Sequence, residues 1–393
     1  MTSADPLLVV LHRIGPYHHA RLVAAARIVP LQVLETRSRS LEYPWAFDPG
    51  NAYPIHRLQG HGHPEEDPPL AVLDQQFRQL LDALQPRAVV SIGWADRAYQ
   101  RLLVSCHLRR IPLVIVSDSR VNDEPRSAPK EWIKRQLVRG YSAALVAGSE
   151  SQAYLEGLGF PAEAIFRPWD VVDNAVFQAV AGSARSPSGV PPHFLCVSRF
   201  VHKKNHTGLL AAYGRYQAAG GRWGLRLIGA GPLEAQIRSA TQSLPDPTQV
   251  RCDPFLQLEP LARAYGEAGA FVLASYSDQW GLVVNEAMAA GLPVLVSRAC
   301  GCAADLIEHG VSGWTFDPAD PAALAALMNT AERQTPARRE TMTSAARDRL
   351  SAFSPGRFAV GLHQALEWAS AHPRFSRRAA LMADLLSRRE PLP

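Results

Sequence analysis

FVLASYSDQWGLVVNEAMAAGLPVLVS, from Phe271 to Ser297, is the stretch whose reading decides the fold. Its first apolar run ends at Ala274, a polar loop follows, and a helical pattern opens near Gly281 and runs to about Ala290. Gly291 stops that helix and a second apolar run begins at Pro293. Both runs are continuous rather than alternating, as in strands that helices bury on both faces of a parallel sheet. Ligands of such folds sit at the carboxyl ends of the strands. There the backbone N–H groups of Gly281, Leu282 and Val283 would point from a helix N-terminus, an end with about half a positive charge that suits a phosphate. Asp278 in the loop and Glu286 on the helix are placed to reach the same ligand. Carboxylates beside a diphosphate are best explained by the hydroxyls of a sugar and a ribose. Taken singly, a solvated aspartate and a glutamate that favours its own helix would be the plainer reading.

The same pattern extends in both directions. Upstream, the runs Leu7–Leu11, Leu31–Leu34, Ala88–Ile92, Leu113–Val116 and Ala143–Ala147 are each followed by a helical segment. After a Ser/Pro/Gly-rich interval it restarts with Phe194–Val197, Leu225–Ile228, Ala270–Leu273 and Pro293–Val296. The expected fold class is α/β, with two Rossmann-like doubly wound domains facing each other across a cleft. The boundaries read as residues 1–178 for a first domain, 179–193 for a linker and 194–355 for a second domain. Residues 356–393 read as C-terminal helices that cross back to the first domain.

Two further clusters follow strands of the second domain. SRFVHKKN, Ser198–Asn205, places Arg199 at a strand end and Lys204 at the start of a helical stretch. Two such cations can absorb the charge that develops on a departing diphosphate. LIGAGP, Leu227–Pro232, ends a strand in Gly229 and Gly231, which permit close backbone approach to a ligand. It lacks the third glycine of the dinucleotide fingerprint, and no acidic residue follows at the ribose distance, which argues against a nicotinamide enzyme.

Composition narrows the class. The chain has 393 residues, 47% of them hydrophobic and 20% charged, which is the profile of a globular protein with more than one core. Its formal net charge of +5 suits an anionic substrate or an anionic membrane face, and is too diffuse for nucleic acid. Apolar runs fall short of the roughly 18 residues that cross a bilayer. The N-terminus MTSADPLLVVLHRIG reads as a first strand rather than a leader, so a cytoplasmic protein is expected, with the inner face of the membrane as a further location. Five scattered cysteines, Cys106, Cys196, Cys252, Cys300 and Cys302, make neither a disulfide framework nor a zinc site.

The second domain resembles the nucleotide-sugar-binding half of the family-4 retaining glycosyltransferases, whose architecture is GT-B. The resemblance rests on four segments in order: SRFVHKKN, LIGAGPLE, SDQWGLVVNEAMAAGLPVLVS and GCAADLIEHGVSGWTFDP (Gly301–Pro318). It covers about residues 194 to 360, with FRPWDVVDNAVF (Phe166–Phe177) as upstream support. By resemblance, Arg199 and Lys204 grip the diphosphate, Glu286 holds the ribose hydroxyls and Asp278 holds the transferred sugar. Glutamate is usual where Asp278 stands, and the side chain shorter by one methylene bears on which sugar is read. The resemblance also implies transfer with retention, in which a departing phosphate oxygen takes the acceptor proton. No cofactor or metal is expected, the cations and the helix end standing in for a divalent ion.

The acceptor side is sought in the first domain. RIGPYHHARL, Arg13–Leu22, follows its first strand, and Gly15 stands where family members turn the chain toward the acceptor. His18 and His19 are candidates to line the cleft, with an ordinary surface pair as the alternative. Many relatives carry a histidine after the fourth strand of this domain. Here VSDSRVNDEPR offers Asp118, Ser119 and Arg120 instead. PRSAPKEWIKRQLVR, Pro125–Arg139, is basic and amphipathic, and reads either as a docking face for a membrane or lipid-linked acceptor or as an exposed helix. Saccharide, lipid-linked and small-molecule acceptors all stay open. So do two rival functions: a nucleotide-sugar epimerase on the same fold, and a non-catalytic nucleotide-sugar-binding protein.

Overall fold

The computed structural model describes residues 5–37, 44–60, 62–63, 66–184 and 193–389. The chain divides into two compact units. One comprises the residues up to Val171 together with those from Pro355 onward, and the other is Val172–Ser354.

Among its described residues, unit 1 holds a seven-stranded sheet: β1 (Leu7–Leu11), β2 (Leu31–Glu35), β3 (Ile55–Arg57), β4 (Ala88–Ile92), β5 (Leu113–Ser117), β6 (Ala143–Val146) and β7 (Ile165–Phe166). All pairings are parallel, in the order β3-β2-β1-β4-β5-β6-β7. Unit 2 holds β8 (His193–Val197), β9 (Gly224–Ile228), β10 (Val250–Asp253), β11 (Ala270–Leu273), β12 (Val294–Ser297) and β13 (Trp314–Phe316), again parallel, in the order β10-β9-β8-β11-β12-β13. The inner strands are buried almost without interruption, as continuous apolar runs require. In each sheet the strand order reverses beside the first strand, between β1 and β4 and between β8 and β11. Loops leaving the carboxyl ends diverge there and open a crevice.

One segment departs from the expected boundaries. The stretch read as a linker over 179–193 begins inside a helix, Asn174–Ala184, which belongs to unit 2 and packs on the helix Leu258–Gly266. Phe177 and Ala181, one turn apart, are its buried face. Small residues hid this periodicity: Gly266 lies so near that an added Cβ would stand 2.5 Å from the Ala181 carbonyl oxygen. The remainder, 185–192, lies outside the described residues. At the other end, residues from Pro355 on form the helices Pro355–Ala371 and Arg377–Ser387, both within unit 1. The first packs on the helix Pro16–Ala26 and on β6, the second on the helix Arg97–Arg109. Arg101, buried on that last helix, bonds both Asp74, at 2.7 and 2.8 Å, and Asp384 of the C-terminal helix. The five cysteines are free thiols, and four of them are buried.

Candidate functional site

In unit 2 the loop after β8 is built around two glycines of the next strand's turn. Gly229 and Gly231 have φ of 157° and 155°, a region that side-chain-bearing residues rarely enter. A Cβ on Gly229 would lie 1.9 Å from the Ser198 carbonyl oxygen, and one on Gly231 would lie 2.6 Å from that of Phe200. Their close backbone approach is thus to Ser198–Phe200, whose N–H groups bond the Ile228 and Ala230 carbonyls at 3.1 and 2.8 Å. Arg199 is carried, half-buried, on this clamped loop. One short turn, His202–Lys204, then leads into Asn205, which is left-handed (φ 54°) and caps the helix His206–Ala218. The Asn205 amide accepts from Gly208 N–H at 3.0 Å and donates to the carbonyls of Ala274 (3.0 Å) and Pro318 (2.9 Å). One buried side chain therefore pins the loops after β8, β11 and β13 together beside Lys204.

The loop after β11 is fixed by a different device. Backbone N–H groups of Gly301 and Cys302 bond the carbonyls of Asp278 and Trp280, both at 3.0 Å. The Trp280 indole is buried, donates to Asn285 at 2.9 Å and packs on Phe353 at 5.2 Å. Gly281 adopts φ 101° and begins the helix Leu282–Ala289, with Leu282 and Val283 half-buried in its first turn. The first-turn N–H groups of any helix lack an upstream carbonyl within it.

These devices bring Lys204 and Asp278 together across the reversal point. Their side chains form an ion pair, 11% and 13% exposed, between residues from the loops after β8 and β11. Glu286 lies one turn along the helix, 1% exposed, and its carboxylate accepts the Tyr265 hydroxyl at 2.7 Å. His206, buried next to Lys204, shares a 3.0 Å hydrogen bond between Nε2 and Ser198 Oγ. Burial, reinforced by the Lys204 charge, depresses its pKa to about 4, so the imidazole is neutral at pH 7.

The residues expected on the acceptor side are distributed through unit 1. Gly15 precedes the helix Pro16–Ala26 in extended conformation, and a Cβ there would meet the Trp45 ring at 3.3 Å. His18 lines a small space with Arg21 and Trp169, where burial, then the Arg21 charge, lower its pKa to about 3. Its neighbour Arg21 is 2% exposed, lies 4.3 Å over Trp169 and donates to Asp170 at 3.3 Å. His19 shares a 3.1 Å hydrogen bond with the Tyr53 hydroxyl. Asp118, half-buried after β5, accepts the Ser151 hydroxyl on its backbone carbonyl at 3.2 Å. Arg120 is 3% exposed and clasps Asp123, at 3.1 Å, and Glu150, which gives it a role in holding its own loop.

Residues 185–349 match the family model described as glycosyl transferases group 1. They form a group 1 glycosyltransferase domain. The chain is 36% identical over 144 residues to the amylovoran biosynthesis glycosyltransferase AmsK of Erwinia amylovora, an alignment covering 35% of each chain. It is 28% identical over 285 residues to a D-inositol 3-phosphate glycosyltransferase of Corynebacterium kroppenstedtii, covering 67% of this chain and 61% of that one. It therefore spans about a third to three-fifths of the length of these relatives. The crystal structure of Anabaena HepE in complex with UDP has the same GT-B fold, with a TM-score of 0.71 over 92% of this chain and 99% of the other at 18% identity.

The glycosyltransferase domain contains every unit 2 residue singled out in the sequence, and also several that were not. Asn205 had a legible signal, an asparagine just before a helical pattern. Trp280 and Asn285 lie within the deciding stretch, but their mutual bond shows only in three dimensions. Tyr265, the partner of Glu286, sits on a separate helix and left no signal.

Proposed function

We propose that the protein is a glycosyltransferase that moves a sugar from a nucleotide-diphosphate donor to an acceptor hydroxyl, with retention, in the assembly of a polysaccharide or glycoconjugate. The observation that carries the proposal is the Lys204–Asp278 pair at the strand-reversal point of a group 1 glycosyltransferase domain. A cation and an anion held in contact there offer a diphosphate and a sugar hydroxyl one partner each. Donor binding would transfer Lys204 from Asp278 to the diphosphate and leave Asp278 to accept from the sugar. Arg199 and the first-turn N–H groups of Gly281, Leu282 and Val283 add positive potential, and Glu286 takes the ribose hydroxyls beside Tyr265. As the bond from the anomeric carbon to the phosphate oxygen breaks, the acceptor oxygen bonds that carbon on the same face, and its proton passes to the departing phosphate oxygen. Cation and dipole stabilisation of this kind calls for no metal, so turnover should survive EDTA.

The relatives support the setting: AmsK is named for amylovoran biosynthesis, and the HepE structure contains UDP. We place the protein in the cytoplasm. Among the described residues no helix is long and apolar enough to cross a membrane. The helix Ala128–Leu137, with Trp132 exposed beside Lys130 and Arg135, supports contact with an anionic inner face, from which a lipid-linked acceptor could be drawn.

The test is a thermal-shift screen across UDP-, GDP-, ADP- and dTDP-sugars, since a true donor stabilises the folded state by mass action. One donor class should raise Tm, and Glu286→Ala should abolish most of that rise, because charge-assisted bonds to two hydroxyls are worth about 1.5–3 kcal/mol each. Acceptor-dependent release of free nucleotide separates transfer from epimerisation. Unchanged nucleotide affinity in a folded Glu286→Ala protein would overturn the site.

A further inference from the structure

A cleft of about 260 Å³ opens in unit 2 between the helix His206–Ala218 and the helix Glu234–Thr241, which pack on each other. Leu210 and Ile237, each 4% exposed, give it an apolar floor, and Thr207 and Gln236, both exposed, give it a polar rim. His202 and Tyr276 add two nearly parallel rings, their planes 27° apart and their centroids 6.0 Å apart. The Tyr276 N–H donates to the Lys203 carbonyl at 2.8 Å, which ties together the two loops that supply these rings. The same loops carry the Lys204–Asp278 pair, His202 lying two residues before Lys204 and Tyr276 two before Asp278.

One polar atom beside this cleft has no protein partner. His206 lines the cleft and is 3% exposed. Its Nε2 is engaged with Ser198 Oγ, whereas Nδ1 is buried without a hydrogen-bond partner among the described residues. Buried polar atoms are rarely left so unless water or a ligand meets them. The neutral ring carries one N–H, and the direction of the Ser198 bond decides whether Nδ1 donates or accepts. A hydroxyl meets either form, because it can both donate and accept, while a carboxylate or an ammonium meets only one.

We propose that this cleft is a saccharide subsite for one pyranose ring, with Tyr276 and the Leu210–Ile237 floor against its C–H face and His206, Thr207 and Gln236 bonded to its hydroxyls. Size limits the ligand. The cleft is smaller than the roughly 300–1,000 Å³ of sites for drug-sized molecules, so it holds one ring and not a nucleotide sugar. Composition selects among rings. A pyranose has an apolar C–H face and a hydroxyl edge, which match the floor and the rim. Among the described residues that line the cleft there is no lysine, arginine or carboxylate, so a phosphate or uronate finds no counter-ion there. Its place beside the Lys204–Asp278 pair makes the ring part of the acceptor, an assignment that rests on the transfer reading above. A free sugar acting as an effector would meet the same groups.

Saturation-transfer NMR on the full chain with methyl α-glucopyranoside, methyl α-mannopyranoside and methyl β-galactopyranoside tests the site, with glucuronate and uridine as controls. Wild type should bind at least one glycoside, its His206 imidazole resonances should shift on binding, and neither control should displace the glycoside. Ala240, half-buried in the lining, is where the cleft can be filled. Ala240→Phe should weaken binding at least tenfold and Gln236→Leu several-fold, with the nucleotide-induced Tm rise unchanged in both. Incubating the bound glycoside with the donor that raises Tm separates the two sources. A disaccharide glycoside that Ala240→Phe fails to form identifies the acceptor, and binding that alters donor hydrolysis without such a product identifies an effector. No glycoside bound by wild type, equal binding by wild type and Ala240→Phe, or displacement by uridine would overturn the proposal. A nucleotide response that persists through such a failure keeps the transferase reading, whereas glycoside binding with no nucleotide response sinks that reading and leaves this site standing.

Discussion

Lys204 and Asp278 are nearly buried and form an ion pair with each other. Lys204→Ala leaves a carboxylate facing a poorly solvated site and removes the cation nearest a departing diphosphate. Turnover should fall by more than donor KM rises, since the leaving oxygen carries more charge in the transition state than in the ground state. Steady-state kinetics in donor decide it; a raised KM with untouched kcat would reduce Lys204 to a holding group. Asp278→Glu restores the residue usual in the resembled family. Asp278 already contacts Lys204, so a longer side chain must be redirected. The ranking of sugars on one base should change while affinity for the bare nucleoside diphosphate holds, with rate losses of about one to two powers of ten. His206 supplies a pH dependence. An unfolded chain protonates it near 6.5 and the folded one only near 4, so its contribution to stability is complete above 6.5 and declines as pH falls toward 4. The unfolding free energy measured in urea should drop between pH 7 and pH 5, on the order of 2 kcal/mol from this residue, and His206→Gln should flatten the drop. At this scale the sequence revealed residue types but not partners. Lys204 and Asp278 were each legible, yet their contact joins positions 74 residues apart and belongs to the fold.

Strands and loops were legible according to how deeply they are buried. Every run expected as a strand lies inside a sheet, whereas β3, β7, β10 and β13, unforeseen, are the four sheet edges. An edge strand is covered on fewer sides and can be short and polar: Ile55–Arg57 reads IHR and Val250–Asp253 reads VRCD. Continuous hydrophobicity, the signal used, has no reason to exist there. The glycines were found for a partly different reason from the one their geometry gives. Gly229 and Gly231 were expected to admit a ligand, and the structure uses them to seat the backbone that carries Arg199. Gly229→Ala should therefore act through displacement of Ser198–Phe200. It should cost activity even where the nucleotide makes no contact with residue 229, and should lower Tm by several degrees through strain and a backbone clash. Asn205→Ala removes a helix cap and two loop ties, so about 1–3 kcal/mol of stability and most of the turnover should go together. Full activity in that variant would show that Lys204 is positioned by something other than the Asn205 ties.

For the whole molecule, the division into two α/β units could be read from the restart of the strand pattern, while the exact boundaries could not. The helix Asn174–Ala184 is made of small residues whose burial depends on a glycine in another helix, and composition alone made it look like a linker. Deleting residues 355–393 should strip unit 1 of two helices and leave Arg101 without Asp384. Calorimetry should then show the transition of unit 1 lost or shifted far down, with that of unit 2 retained; equal loss of both would mean that the units do not melt separately. The return of the chain's last segment to its first unit also bears on synthesis at the ribosome. Unit 2 has emerged in full once residue 354 is clear of the exit tunnel, although it comes second in the sequence. Unit 1, begun first, must hold its strands with an uncovered helix layer until residues 355–389 follow. At about 5–20 residues per second the stretch from Val171 to residue 389 takes roughly 10 to 45 seconds, in which the half-built unit exposes apolar surface and is open to chaperone capture.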